Sequence, residues 1–331
     1  MTVGFEYPDQ IGSSPVRPTR SGILPEREGP KQRFAVTDFN PAIDKTLVAG
    51  LLAEQFPEWS HLPLAPVESA GTDNAMYRLG DDMAVRLPRV GWATGFIEKE
   101  VRWLPKLAPH LPLAIPVPIA MGEPGNGYAS HWSVVNWLDG ENATLDRLAD
   151  PRQAATRLGE FVFALQRLDT AGGPLSGEQN LLRGVPLAVR DPSTRDAIAA
   201  LGSLFDIGEL TTAWDSALRA PTWDGPPVWL HCDLQSGNLL AIDGQLTAVI
   251  DFGVMGVGDP ACDAMAAWSL FSGESRKAFR AAMNVDDASW KRGRGWALSV
   301  AVIALAYYLN TNPVLAAMSR RAIEEVLADH R

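Results

Sequence analysis

Up to about residue 38 apolar positions recur with no regular period, and Pro, Gly, Ser and Arg are frequent. That composition reads as an extended or disordered leader over residues 1–38. From Pro41 the pattern becomes regular. Ile43, Leu47, Val48, Leu51 and Leu52 fall at helical spacing and predict a helix to Gln55, with Asn40-Pro41 as its cap and first position. Apolar runs at Leu64–Ser69, Ala75–Leu79 and Met83–Leu87 predict three strands, the last two joined by a turn at Gly80-Asp81-Asp82. A helix over Gly95–Leu107 and strands over Pro116–Met121 and Trp132–Trp137 follow. Beyond Gly140 the pattern is mainly helical. Ala155, Leu158, Phe161, Val162, Leu165 and Leu168 share one face of a helix from Pro151 to Leu168. Further helices are expected over Ser193–Leu204, Pro260–Phe271, Arg276–Ala282, Ser289–Leu309 and Pro313–Ala328. The boundary between a strand-rich part, 39–138, and a helical part, 139–331, is placed near Leu138–Glu141.

One passage interrupts the helices. His231-Cys232-Asp233-Leu234-Gln235-Ser236-Gly237-Asn238 is followed by Ile250-Asp251-Phe252-Gly253. Asp243-Gly244, between the apolar runs Leu239–Ile242 and Leu246–Ile250, is a strong hairpin signal. Such a hairpin brings Asn238 and Asp251 to one end of neighbouring strands. An acid, an amide five positions on, and a second acid after two strands form the order used in kinase-type phosphoryl transfer. There the first acid (here Asp233) orients the attacking hydroxyl and accepts its proton. Asn238 and Asp251 would hold Mg²⁺. Walker A and G-x-S-x-G sequences are both absent, which argues against a P-loop kinase and a hydrolase-fold enzyme.

The stretch H-C-D-L-Q-S-G-N-L-L … V-I-D-F-G-V-M-G-V-G-D-P-A-C-D resembles the catalytic region of the aminoglycoside phosphotransferase family. The likeness extends from about Pro41 to near the C-terminus. It implies an α+β, two-lobed protein-kinase-like fold, with a small antiparallel-sheet N-lobe and a mainly helical C-lobe. It also implies an ATP (or GTP) and Mg²⁺-dependent O-phosphotransferase of a small hydroxylated molecule, possible acceptors including aminoglycoside and macrolide antibiotics. The family's usual pattern is H-G-D, so Cys232 is a departure. Protein kinases carry Arg at this place, so a side chain is tolerable there.

On the nucleotide side, Ser69-Ala70-Gly71-Thr72-Asp73-Asn74 joins the first two strands, where kinase-like folds cover the phosphates. Gly71 permits close backbone approach, and Ser69, Thr72 and Asn74 offer donors. Arg86 occupies the strand slot where V-A-I-K kinases carry the Lys that meets the phosphates and pairs with a helix Glu. Glu98 and Glu100 compete for that pairing. Glu100 flanks the buried face set by Ile97, Val101, Leu104 and Ala108, so it is the expected partner, with Lys99 solvated. The resemblance further implies adenine contacts from the backbone of Asn136 and Leu138, with Trp137 as a core residue between the lobes.

The acceptor side is quieter. Asp169, Asp191, Asp196, Asp263 and Glu274 are acids that an aminoglycoside pocket would use, whereas a macrolide pocket needs an apolar floor. Asp259-Pro260 reads as a helix cap and first position, Asp263 as a tie to the catalytic loop, and His231 as a brace near Asp251 rather than a base. A metabolic kinase acting on an amino alcohol, sugar or amino-acid hydroxyl is a second reading. A non-catalytic nucleotide-binding module is a third.

Composition narrows the field further. A chain of 331 residues with 46% apolar content supports a sizeable core. The net charge of -10 argues against nucleic acid or an anionic membrane as partner. Two cysteines, Cys232 and Cys262, make no disulfide framework and fit a reduced cytoplasm. The N-terminus lacks a signal pattern, and the apolar run Trp296–Leu309 is too short to span a membrane.

Overall fold

The computed structural model describes residues 43–67, 74–89 and 94–331. The leader over 1–38, the Asn40-Pro41 cap, and Ser69, Gly71 and Thr72 fall outside the described residues. The first helix, α1, spans Lys45–Gln55 and starts later than expected. Asp44 is its N-cap, accepting from the Leu47 N–H at 2.9 Å.

Five strands form one antiparallel sheet. They are β1 (Leu64–Pro66), β2 (Asn74–Leu79), β3 (Met83–Pro88), β4 (Pro118–Gly122) and β5 (Trp132–Asn136), in the order β1-β2-β3-β5-β4. Helix α2 (Thr94–Leu107) connects β3 to β4. β2 and β3 pair with Met76 opposite Arg86, and β3 pairs with β5 with Arg86 opposite Ser133. Arg86 therefore lies on a central strand, flanked on both sides, which limits where its side chain can go.

The rest is mainly helical: α3 (Pro151–Gln166), α4 (Asp191–Ala200), α5 (Ile207–Leu218), α6 (Ala266–Ser269), α7 (Gly273–Met283), α8 (Asp287–Tyr308) and α9 (Pro313–His330). Side-chain caps start several of these helices. Asp150 caps α3 before Pro151, Asp286 caps α8, and Asn312 caps α9 before Pro313. α8 is a core helix, with Trp296, Leu298, Val302 and Leu305 buried. Among the described residues no helix is long and apolar enough to cross a membrane. Helix α5 was not anticipated from the sequence, although Leu210, Ala213, Trp214 and Ala217 make one buried face.

The remaining strands frame the catalytic passage. β6 (Glu141–Asn142) joins β8 (Leu239–Ile242) and β9 (Gln245–Val249) in a three-stranded sheet, while β7 (Val228–Leu230) pairs with β10 (Gly256–Gly258). The predicted hairpin is β8–β9. Asp243 and Gly244 turn it with φ of 50° and 73°, the left-handed pair that a two-residue turn requires. Two apolar clusters form the interior. The smaller gathers α1 with β1–β3 and β5 around Leu51, Leu79, Val85 and Trp132. The larger gathers the helices around Phe161, Trp214, Trp268 and Trp296, and it includes Trp103 and Leu104 of α2.

Candidate active site

Strand β7 runs into the catalytic loop and β8 leaves it, so both ends of the loop are fixed by sheet pairing. Within it, Asp233 Oδ2 accepts from Asn238 Nδ2 at 2.9 Å and from Gln235 Nε2 at 3.1 Å. Asn238 Nδ2 also donates to the Asp233 carbonyl at 2.9 Å, closing a tight six-residue turn. His231 braces the loop as expected. Its Nδ1 accepts the Asp233 N–H at 3.1 Å, so Nε2 carries the proton donated to the Ile250 carbonyl at 3.0 Å. Its ring packs edge-on to Phe252, with centroids 4.5 Å apart. The Ile250 N–H reaches the Asn238 carbonyl at 2.8 Å, which sets Asp251 beside the end of the loop.

Asp263 ties the loop from below. Its two oxygens accept the His231 N–H at 2.8 Å and the Cys232 N–H at 2.7 Å. Burial pushes its carboxyl up, against these hydrogen bonds and the nearby Arg183 guanidinium. Asp259 accepts the Ala261 N–H at 3.0 Å and forms a buried two-point pair with Arg292, at 2.8 and 2.9 Å. Both acids are structural.

Arg86 connects the sheet to this loop. Its Nη1 donates to Glu100 on α2, and its Nη2 donates to Asp251 Oδ1 at 2.9 Å. Burial pushes the Glu100 carboxyl up and the Arg86 charge opposes that. In the amide orientation that the guanidinium demands, the Asn74 oxygen accepts from Nη2 at 2.9 Å and Nε at 3.2 Å. Asn74 is thus built into the Arg86 cluster. Glu98 goes elsewhere, to His131.

The model of the phosphotransferase enzyme family matches residues 66–296. The chain belongs to this family. Solved structures share its fold. The GDP and kanamycin complex of APH(2")-IIia is 21% identical, with a TM-score of 0.67 over 87% of this chain and 100% of that one. Macrolide 2'-phosphotransferase type I is 18% identical, with a TM-score of 0.59 over 86% and 97%. Macrolide 2'-phosphotransferase MphH from Brachybacterium faecium is 23% identical, with a TM-score of 0.54 over 86% and 98%. No curated protein matches the chain by sequence. The protein-kinase-like α+β fold read from the motifs is the fold observed.

Several residues of this phosphotransferase sit differently from the sequence reading. Lys99 is not solvated. It donates to the Met255 carbonyl at 3.0 Å and lies 4.6 Å from the Phe96 ring centre, and burial pulls its ammonium down to about 8. Asn136 has its N–H committed to the Val117 carbonyl at 3.1 Å and its Oδ1 to the Val117 N–H. The Trp137 N–H donates to the Asp82 carbonyl at 2.7 Å. The first of these bonds commits the Asn136 N–H to Val117, so an adenine contact from the Asn136 backbone would fall to its carbonyl. Leu138 follows half-buried, and no partner is recorded for its N–H among the described residues. Trp137 is not core: it is half-buried under the Arg78 guanidinium, 4.1 Å from its ring centre.

The residue that sequence reading missed is Arg183. It comes from the loop before α4, donates from Nη1 to the Cys232 carbonyl at 2.7 Å, and lies 3.7 Å from Asp233 Oδ1. No motif or periodicity marks it. Cys232 itself is buried at φ 72°, a left-handed backbone that suits the glycine usual in the family. Its thiol lies near Cys262, and burial pushes it well up.

The candidate metal ligands suit a hard cation. Asn238 uses its nitrogen on Asp233, which leaves its oxygen to offer, and Asp251 keeps Oδ2 beyond its bond to Arg86. An amide oxygen and a carboxylate are the donors Mg²⁺ takes.

Proposed function

We propose that this phosphotransferase moves the terminal phosphoryl group of ATP (or GTP) to a hydroxyl of a small molecule. The observation that carries the reading is the convergence of Asp233, Asn238, Asp251 and Arg86 from separate elements onto one end of the β8–β9 hairpin. In this reading Asp233 accepts the hydrogen bond of the acceptor hydroxyl and takes its proton. Asn238 and Asp251 would hold Mg²⁺, which supplies charge neutralisation at the phosphates when bound. Arg86, held by Glu100, faces the phosphates from the sheet, and Leu138 meets the adenine edge. Ser69, Gly71 and Thr72, which precede β2 in the chain, would cover the phosphates. Positioning and charge complementarity supply most of the catalysis in such a transfer. The division into 39–138 and 139–331 accompanies this reading, the nucleotide lying against the first and the acceptor against the second.

Within the acceptor classes, the linings favour a molecule with an apolar body. One hollow of about 310 Å³ opens beside Ser236 and is walled mainly by apolar side chains such as Leu145, Leu148, Phe271 and Met318, with Asp146 and Arg321 also on its lining. Two of the acids expected for a polycation are engaged elsewhere. Asp263 is buried on backbone N–H groups, while Asp191 holds Trp214 at 2.6 Å and pairs with Arg195. The test is a panel assay with purified protein, Mg²⁺ and either ATP or GTP. The acceptors are macrolides, aminoglycosides, amino alcohols, sugars and hydroxy amino acids. Nucleoside diphosphate release is read together with the mass of one added phosphoryl group. Transfer to a hydroxylated acceptor, strongest with the apolar-bodied macrolides, is expected. Silence with every acceptor alongside clear ATP binding would favour a non-catalytic nucleotide-binding module.

A further inference from the structure

Arg183 stands at the catalytic loop for reasons the fold makes visible. Leu181 and Leu182, the two residues before it, both have left-handed backbones, at φ 60° and 55°. Consecutive left-handed leucines are strained and persist only where the surroundings over-determine them. Here Asn180 does so. It is 1% exposed, its Oδ1 accepts the Gly177 N–H at 2.9 Å, and its Nδ2 donates to the Arg183 carbonyl at 2.9 Å. Arg190 adds a bond to the Leu181 carbonyl at 3.2 Å. The loop is locked in a costly shape, and that shape aims one guanidinium at the Cys232–Asp233 peptide.

The contacts at the far end are specific. Nη1 donates to the Cys232 carbonyl at 2.7 Å, and the Arg183 side chain is 14% exposed. Cys232 is the left-handed residue of the catalytic loop, so the bond fixes the one peptide there that has least backbone preference to hold it. The two oxygens of Asp233 are then unequal. Oδ2 is taken by Gln235 and Asn238, whereas Oδ1 faces Arg183 at 3.7 Å, inside ion-pair range and outside hydrogen-bond range. That separation keeps the lone pairs of Oδ1 open for a hydroxyl while the cation holds the carboxylate in place.

We propose that Arg183 is a positioning residue for phosphoryl transfer, pinning the Cys232–Asp233 peptide and aiming Asp233 Oδ1 at the acceptor hydroxyl. The proposal rests on the reading of Asp233 given above. Removing a partner that orients a reacting group commonly lowers activity about 10- to 100-fold. The test uses Arg183→Met and Arg183→Lys with ATP, Mg²⁺ and an acceptor phosphorylated in the panel, and also ATP hydrolysis to water. Arg183→Met is expected to lower kcat at least about tenfold while the KM for ATP stays within about twofold. The Lys variant keeps the charge but not the fork, and is expected to fall between Met and wild type. In an Asp233→Asn background the same Met change should cost less than about twofold, because the proton-accepting carboxylate that Arg183 aims is gone. Partial rescue of Arg183→Ala by added guanidinium ion would separate positioning from a purely structural role. Unchanged kcat, a raised KM for ATP alone, or a full further loss in the Asn background would each overturn the proposal. If Arg183→Met fails to fold, the Lys variant decides: lowered kcat at constant KM for ATP supports the proposal, and wild-type kcat overturns it. An Asp233→Asn enzyme with wild-type turnover would bring down the parent reading, whatever Arg183 does.

Discussion

Arg86 Nη2 donates to Asp251 Oδ1 at 2.9 Å, bridging the central strand of the sheet to the segment that follows the catalytic hairpin. The same guanidinium holds Glu100 on α2, so one side chain ties three elements together. Arg86 is 8% exposed and Glu100 2%. Breaking such a buried pair by removing one partner commonly costs about 3–5 kcal/mol, since the other charge is left uncompensated. Asp251 remains beside Arg86, so Glu100→Gln is expected near the low end of that range. The nucleotide KM should also rise about tenfold as the guanidinium loses its aim. Urea titration and nucleotide fluorescence check the two effects.

Asp251→Ala should abolish Mg²⁺-dependent nucleotide binding. Retained tight binding of MgATP in the Ala variant, measured by calorimetry, would show that Asp251 does not hold the metal.

Asp233→Asn keeps the shape of the side chain and its hydrogen-bonded neighbours. Nucleotide affinity should stay within about twofold while turnover falls about 100-fold or more, the usual scale for removing a positioned proton acceptor. Rates of diphosphate release at saturating ATP decide this.

Lys99 provides a pH-dependent signature. Burial is the leading cause that pulls its ammonium from 10.5 down to about 8. Between those two values the unfolded chain binds the proton more tightly than the native protein does. Stability contributed by this group therefore rises with pH across the window, and below about 8 the buried charge costs stability. Relative to Lys99→Met, the wild type should gain about 1–3 kcal/mol between pH 7.5 and pH 10. Paired denaturant titrations at those two pH values measure it, and a difference that does not change with pH would contradict the assignment.

Cys232 sits at φ 72°, where a Cβ costs roughly 1–2 kcal/mol. Cys232→Gly removes that strain and also the buried thiol, so stability should move by less than about 1 kcal/mol with turnover preserved. Cys232→Val is expected to lose about 2–3 kcal/mol, because β-branching is worst in a left-handed backbone. Thermal melts should place the Gly variant close to the wild type and the Val variant well below it.

The sequence by itself determined the parts of this protein that local chemistry dictates. Asp243-Gly244 demanded the hairpin, the Asp233-to-Asn238 step demanded a tight loop, and the apolar face of α2 placed Glu100 rather than Glu98 beside Arg86. Asp259 was legible for the same reason, since a capping acid is recognised by its immediate neighbours. What only the tertiary structure decided involves residues far apart in the chain. Lys99 looked like a surface lysine until the Met255 carbonyl arrived to accept its hydrogen bond. Asn136 looked free until Val117 occupied its N–H. α5 was legible in principle, since Asp206 caps it and Leu210, Ala213, Trp214 and Ala217 share its buried face. Arg183 could not be found from sequence, because its position depends on two left-handed leucines and a buried Asn180, and the carbonyl it reaches, that of Cys232, lies 49 residues on.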